Sequence, residues 1–249
     1  NAVVSKHDTV WFLGDFCMGG RSTIKAYAQR LHGIIRMVKG NHEDLMEAVW
    51  SRGYCQSHDQ SNGTLRTIED LSYDYKPYET FDAVHMCEKK LRPFFDKMVN
   101  YFETEHYVFV HGWIPCDKYH GARPWYQNNR TFEYKPDWRD CNDVEWESAR
   151  WINGINAGYV KKNPVLEPDK TIVCGHWHCS YGHYWAAVKE TMKCGGTIFD
   201  VKASEFDDDA CFDPFFADGI IALDACTAHT GKVNVVVLED ELLESHVNV

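Results

Sequence analysis

Ile34-Ile35-Arg36-Met37-Val38 runs directly into Lys39-Gly40-Asn41-His42-Glu43, and the fold follows from how that stretch is read. The first five residues, four of them apolar, read as a buried strand; Gly40-Asn41 turns the chain, and Asp44 to Trp50 takes up helical periodicity. Upstream, residues 9 to 14 read as a second strand. Ser22 can cap a helix whose apolar positions Ile24, Tyr27, Ala28 and Leu31 keep helical spacing until Gly33 stops it. The order strand, helix, strand, helix predicts a sheet with crossover connections.

The same grammar continues downstream. Residues 52 to 76, rich in Ser, Asn, Gly and Asp, read as an excursion over the surface. Residues 79 to 105 read as helix, with Pro93 a kink or a break between two helices. Strand Tyr107 to Val110 delivers His111. Residues 112 to 143 form a long aromatic stretch of the length that serves as a lid, and its Trp125, Tyr126, Phe132, Tyr134 and Trp138 pack beneath it or stack a base. Helix 144 to 153 follows, then strand 171 to 174 with a Gly-His-Trp-His turn. Strands are expected at Thr197 to Val201, Gly219 to Asp224 and Lys232 to Leu238, the last suited by its valines to a sheet interior. The simplest architecture is a single α/β domain over residues 1 to 249, with two mixed β-sheets packed face to face and flanking helices.

The chain has 249 residues and can bury a real core. With 26 Lys and Arg against 37 Asp and Glu, its net charge of -11 gives little support for a grip on nucleic acid or an anionic membrane. No apolar run approaches the ~20 residues that span a bilayer, and no signal peptide opens the sequence, so a cytoplasmic location is expected. The ten cysteines lack zinc-site pairing and read as reduced thiols, several within apolar runs such as those around Cys174 and Cys226. Asp207-Asp208-Asp209 reads as a solvated loop.

Polar residues end these strands in a fixed order: Gly14-Asp15, Gly40-Asn41-His42-Glu43, His111-Gly112, and Gly175-His176-Trp177-His178. The carboxyl ends of strands are where open α/β sheets bind ligands. Hydrolysis of a phosphate ester needs a nucleophilic hydroxide near neutral pH and positive charge against the phosphoryl and leaving oxygens. Two divalent cations ~4 Å apart supply both. An aspartate can bridge such a pair, an asparagine adds a carbonyl oxygen, and imidazoles suit manganese, iron, zinc or nickel. Asp15, Asn41, His111, His176 and His178 make up that donor set. His42, adjacent to Asn41, points instead at the substrate, where an imidazolium stabilises charge and protonates the leaving group. His120, His183 and His229 have no motif around them.

This ordered set resembles the calcineurin-like metallophosphoesterase superfamily, whose pattern runs Asp-x-His, Gly-Asp, Gly-Asn-His-Asp/Glu, His and Gly-His-x-His. The resemblance covers residues 14 to 178, and the segment from Asp218 to Val233 is similar to the closing strands of bacterial members related to serine/threonine phosphatases. It implies a four-layer α/β/β/α sandwich and two divalent metal ions. By it, Asp15 bridges both metals, Asn41, His111 and His176 complete one pocket, and His178 belongs to the other. His42 becomes the acid with Glu43 as its support, Asn41 and His42 face substrate, and Arg150 resembles a phosphate-binding arginine.

Two departures narrow the assignment. The phosphatase branch continues Gly-Asp-x-x-Asp-Arg-Gly, whereas Met18 and Gly19 stand here for the acid and the base, with Arg21 a local substitute for the latter. No Asp-x-His precedes Gly14-Asp15, so the domain is expected to lack its first strand, as an N-terminal truncation of a longer product would. The function expected is hydrolysis of a phosphate ester or anhydride in a small molecule or a phosphoprotein. The alternatives are a dinucleoside polyphosphate hydrolase and a metal-binding module without catalysis. A zinc deaminase or protease is excluded, because neither His-x-Glu with paired Cys nor His-Glu-x-x-His occurs.

Overall fold

Strands buried on both faces need unbroken apolar runs, and the runs picked out around residues 9–14, 34–38, 107–110, 171–174 and 219–224 become parallel strands. The computed structural model describes residues 8–16, 34–72, 80–119 and 131–240. The chain divides into two compact units, one within residues 1–101 and one within 102–248.

In the first unit, β1 (Thr9–Phe12) and β2 (Ile34–Met37) pair in parallel, Thr9 opposite Ile34 and Phe12 opposite Met37. Val38 continues the line with a parallel bridge to Val99. Helix α1 (Asn41–Arg52) starts directly after Gly40, with Glu43 and Asp44 in its first turn and Arg52 in its last, as the helix dipole favours. It ends at Gly53, whose φ of 78° lets its N–H reach the Val49 carbonyl. Met46, Val49 and Trp50 form its buried stripe. They pack with Ile68 and Leu71 of α3 (Thr64–Leu71) and with Val84, Cys87, Leu91 and Phe95 of α4 (Thr80–Phe95), while the short α2 (Ser57–Ser61) leads into α3.

The second unit is built on a five-stranded mixed sheet. In spatial order it runs β3 (Phe102–Glu103), β4 (Tyr107–Phe109), β7 (Thr171–His178), β9 (Ile220–Asp224) and β8 (Phe215–Ala217). The central β4, β7 and β9 are parallel, and the edges β3 and β8 are antiparallel. Val108, Ile172, Val173, Cys174, Ile220 and Ala222 on the three central strands are all buried. An antiparallel hairpin of β5 (Cys116–Tyr119) and β6 (Thr131–Tyr134) precedes α5 (Asp143–Arg150), and α6 (Cys179–Lys193) leaves β7 without a gap. A one-turn helix, α7 (Thr227–Thr230), follows β9.

Glu103 on the edge strand takes Arg139 Nε at 2.9 Å and Lys170 Nζ at 2.8 Å, and Arg139 also reaches Glu167 at 2.8 Å. Burial would push the Glu103 carboxyl up, but the bonds from Arg139 and Lys170 outweigh it and hold the group below the ordinary carboxylate range. A depressed pKa contributes stability that is fully present above the unfolded value and is lost as pH falls through the folded one. Glu103→Gln is therefore expected to cost about 3 kcal/mol at neutral pH, and to cost less once Glu103 protonates in the wild type. Urea unfolding at pH 7 and in the acid limb checks this, and equal losses at both would contradict it.

Several sequence expectations are corrected. The stretch 52 to 76 is not a plain surface excursion, because α2 and α3 lie in it and Thr64, Thr67, Ile68 and Leu71 are buried at helical spacing. Helix 79 to 105 ends at Phe95; Pro93 sits in its last turn, where the lost N–H bond ends the helix instead of joining two. Thr197 to Val201 is a 3-10 turn, Ile198–Asp200, in which the Asp200 carboxylate takes the Thr197 N–H and hydroxyl. Lys232 to Leu238 joins no strand among the described residues, and Val233, Val235 and Val237 are each more than 70% exposed. The helix expected after Ser22, and Trp125 and Tyr126, lie outside the described residues.

Trp138 is fully buried edge-on to Trp146, 5.8 Å between ring centroids. Asp207, Asp208 and Asp209 are exposed. The nine described cysteines are all free thiols; burial pushes Cys87 and Cys179 up to about 12, out of reactive range. Among the described residues no helix is long and apolar enough to cross a membrane.

Candidate metal centre

In the first unit, β1 and β2 run in parallel, so the loops at their carboxyl ends leave the sheet on the same side. Gly14 and Asp15 take consecutive positive φ values of 90° and 55°. A non-glycine residue in that region costs on the order of 1–2 kcal/mol, so the neighbours must hold it there. Glu43 does so. Its fully buried carboxylate accepts the Asp15 N–H at 2.8 Å and the Gly40 N–H at 2.7 Å through the same Oε2.

The resemblance casts Glu43 as support for His42; these bonds show it fixing the main chain of both motif loops. The His42 N–H donates to Asp15 Oδ1 at 3.3 Å, and its Nε2 lies 3.9 Å from Asp15 Oδ2. Asn41 is buried at the first position of α1. Gly40 is required by close approach: a Cβ there would lie 2.4 Å from Asp15 Oδ1 and 2.5 Å from Asp15 N. Asp15, Asn41 and His42 are thus gathered at one end of the β1–β2 pair.

In the second unit, the line of β4 continues past Phe109. Val110 N bonds the Val173 carbonyl at 3.0 Å, and Gly175 N bonds the His111 carbonyl at 2.8 Å, so His111 stays locked beside β7. Between Cys174 and His178 the register against β9 shifts, and His176 has φ of 62°. This bulge within a continuing strand replaces the tight turn expected after residue 174. The His111 and His176 rings lie 5.1 Å apart, and Trp151 stands edge-on to His176 at 5.9 Å. A Cβ on Gly112 would meet the Arg150 carbonyl at 2.5 Å, which seats the end of α5 against His111-Gly112. Arg150 itself is 4% exposed, so it is not a surface residue of its helix.

His178 closes β7. Its Nδ1 is 2.8 Å from Ser180 Oγ and its Nε2 is 3.1 Å from Glu205 Oε1. Phe206 packs on the ring at 4.6 Å, and Asp224 is its register partner on β9. Burial pushes the imidazole down, against the pull of the Asp224 charge, which favours the neutral ring that ligands require. The sequence reading passed over Glu205, Ser180 and Asp224. Asp224 carried a signal, since it ends the apolar run Ile220 to Leu223 as Asp15 and His111 end theirs; Ala203-Ser204-Glu205 carried none.

The calcineurin-like phosphoesterase profile matches residues 1–180. The chain belongs to that family. No curated protein and no solved structure matches it. For a calcineurin-like phosphoesterase the general chemistry is metal-dependent hydrolysis of phosphoesters, and every motif residue named above lies inside the matched region, with Glu205 outside it.

The donors of each unit fit a divalent cation. The first unit offers a carboxylate and an amide oxygen with space kept by Gly40, and the second offers adjacent imidazoles, a set suited to manganese, iron, zinc or nickel. Glu105, His106 and Asp240 also bring ligand atoms within 4.8 Å of one another. There Asp240 already accepts the Thr104 hydroxyl at 2.6 Å and the His106 N–H at 2.8 Å, and lies 2.8 Å from His106 Nδ1, so the trio reads as a clamp on the β3–β4 turn.

Proposed function

We propose that this calcineurin-like phosphoesterase hydrolyses a phosphate ester or anhydride by two-metal activation of water, with Asp15, Asn41, His111, His176 and His178 as ligands. The observation that carries the reading is the pairing of strain with position. Asp15 and His176, both motif residues at carboxyl ends of strands, are held in left-handed backbone that bonding around them enforces. What supports drawing on both units is the family, whose motif order runs through the two. Divalent cations held by these residues would supply a water acidic enough to ionise near neutral pH and positive charge against the phosphoryl oxygens.

The chain's own groups do the rest. Asp15 adds the anionic charge that cations need, and Glu43 keeps its loop from relaxing. His42, with the Asp15 carboxylate 3.9 Å from Nε2, holds the proton that the leaving oxygen takes. Asn41 and Arg150 orient the phosphate. The substrate is a phosphate-bearing small molecule or a phosphoprotein, and we keep the kinship to bacterial members related to serine/threonine phosphatases as part of this reading. The full burial of Trp138 against Trp146 favours packing over base stacking, which sets the dinucleotide alternative second.

The test is turnover of p-nitrophenyl phosphate, its bis ester and diadenosine tetraphosphate in the presence of manganese. Manganese-dependent release from the first or second is expected. No turnover of any of the three by metal-loaded protein would favour a module that binds metal without catalysis.

A further inference from the structure

We propose that Glu205 is a metal ligand of this site, sharing one cation with His178. The inference rests on the metal-dependent reading above and extends it to a residue outside every motif and outside the family match. Of the second unit's motif residues, His178 is the one that the resemblance assigns to this pocket. Glu205 brings to it a carboxylate from a different part of the chain.

The geometry is that of two ligands in place. Donor atoms each ~2.1 Å from one cation and at right angles to each other lie ~3 Å apart; Glu205 Oε1 and His178 Nε2 are 3.1 Å apart. A hydrogen carried on Nε2 would lie between them. A cation takes that proton's place without moving either heavy atom far, provided the ring carries its hydrogen on Nδ1 instead.

Ser180 makes that tautomer available. Its hydroxyl, fully buried and 2.8 Å from Nδ1, can donate to the bare nitrogen or accept from Nδ1–H. Accepting from Nδ1–H is the second contact that orients a metal-binding imidazole. Glu205 is itself positioned, because the Ser204 hydroxyl oxygen accepts the Phe206 and Asp207 N–H groups at 3.2 and 3.0 Å and fixes the turn that presents it. Phe206 then lies against the His178 ring at 4.6 Å. The Asp224 carboxylate acts on His178 electrostatically and adds negative charge, which favours a cation.

Cobalt(II) titration of the full chain tests this, followed by visible and near-ultraviolet absorption and by competition with a chelator. Glu205→Gln keeps shape and hydrogen bonding but loses the charge, and Glu205→Cys offers a thiolate from the same backbone position on a shorter side chain. Thermal unfolding of both variants before metal is added confirms that they fold. One cobalt equivalent is expected to bind roughly 10- to 100-fold more weakly to Glu205→Gln. Glu205→Cys is expected to gain a sulfur-to-cobalt charge-transfer band that the wild type lacks. Unchanged affinity in the first and no new band in the second overturn the role of Glu205 and leave the hydrolase reading standing. A wild-type chain that binds no cobalt overturns both.

Discussion

Asp15→Asn lowers turnover of p-nitrophenyl phosphate by about a thousandfold, close to 4 kcal/mol of transition-state stabilisation, while leaving the folded structure nearly as stable as before. The asymmetry follows from the backbone. Asp15 has φ of 55°, a region that asparagine visits more readily than other side chains, so the exchange adds no strain. The Asp15 N–H keeps its bond to Glu43, and the amide oxygen can still accept from the His42 N–H. What goes is the anionic charge that a cation requires and that sits beside the His42 imidazole. The measurement is kcat/KM together with a thermal melt. Turnover within tenfold of wild type, in a protein that melts normally, would mean that Asp15 is a turn-former only.

Gly40→Ala acts the other way, through packing. Gly40 has φ of -98° and ψ of 175°, which alanine adopts freely, so the backbone is not the obstacle. The added methyl carbon would stand 2.4 Å from Asp15 Oδ1, 2.5 Å from Asp15 N and 2.8 Å from Glu43 Oε2. Two of these atoms form the hydrogen bond that keeps Asp15 in place, so the loop and the carboxylate cannot both stay. The expected destabilisation is about 3 kcal/mol, at the upper end for overpacking, and misplacing the carboxylate by an ångström lowers turnover by a further hundredfold or so. Denaturant unfolding and steady-state kinetics report the two effects separately. Stability and turnover both near wild type would show that the Gly40 contact is not part of the site.

Much of the fold and of the site could be read because a strand buried on both faces announces itself as a continuous apolar run, and a polar residue ending that run stands out. That logic singled out Asp15, Asn41, His111, His176 and His178 as candidates. It failed at Lys232 to Leu238, where the valines have the composition of a strand but Val233, Val235 and Val237 face solvent. Strand propensity describes a fit to a half-buried pleated surface, and the surface is supplied by distant residues.

Helix α3 escaped because Thr64 and Thr67 fill half of its buried stripe and disguise the amphipathic pattern, with the Thr67 hydroxyl turned back to the Gly63 carbonyl at 3.4 Å. Near His178, Glu205 escaped for a different reason. Its position depends on a turn 27 residues along the chain, set by Ser204, and no local spacing encodes that meeting.

The most direct test of the central claim is a metal titration of the chelator-stripped chain, with turnover of p-nitrophenyl phosphate and bound metal measured on the same samples. No turnover by the stripped protein, and activity that rises with added manganese as a second equivalent is bound, is the predicted result. Turnover that survives stripping, or two equivalents bound with no activity toward any phosphate ester, would contradict it.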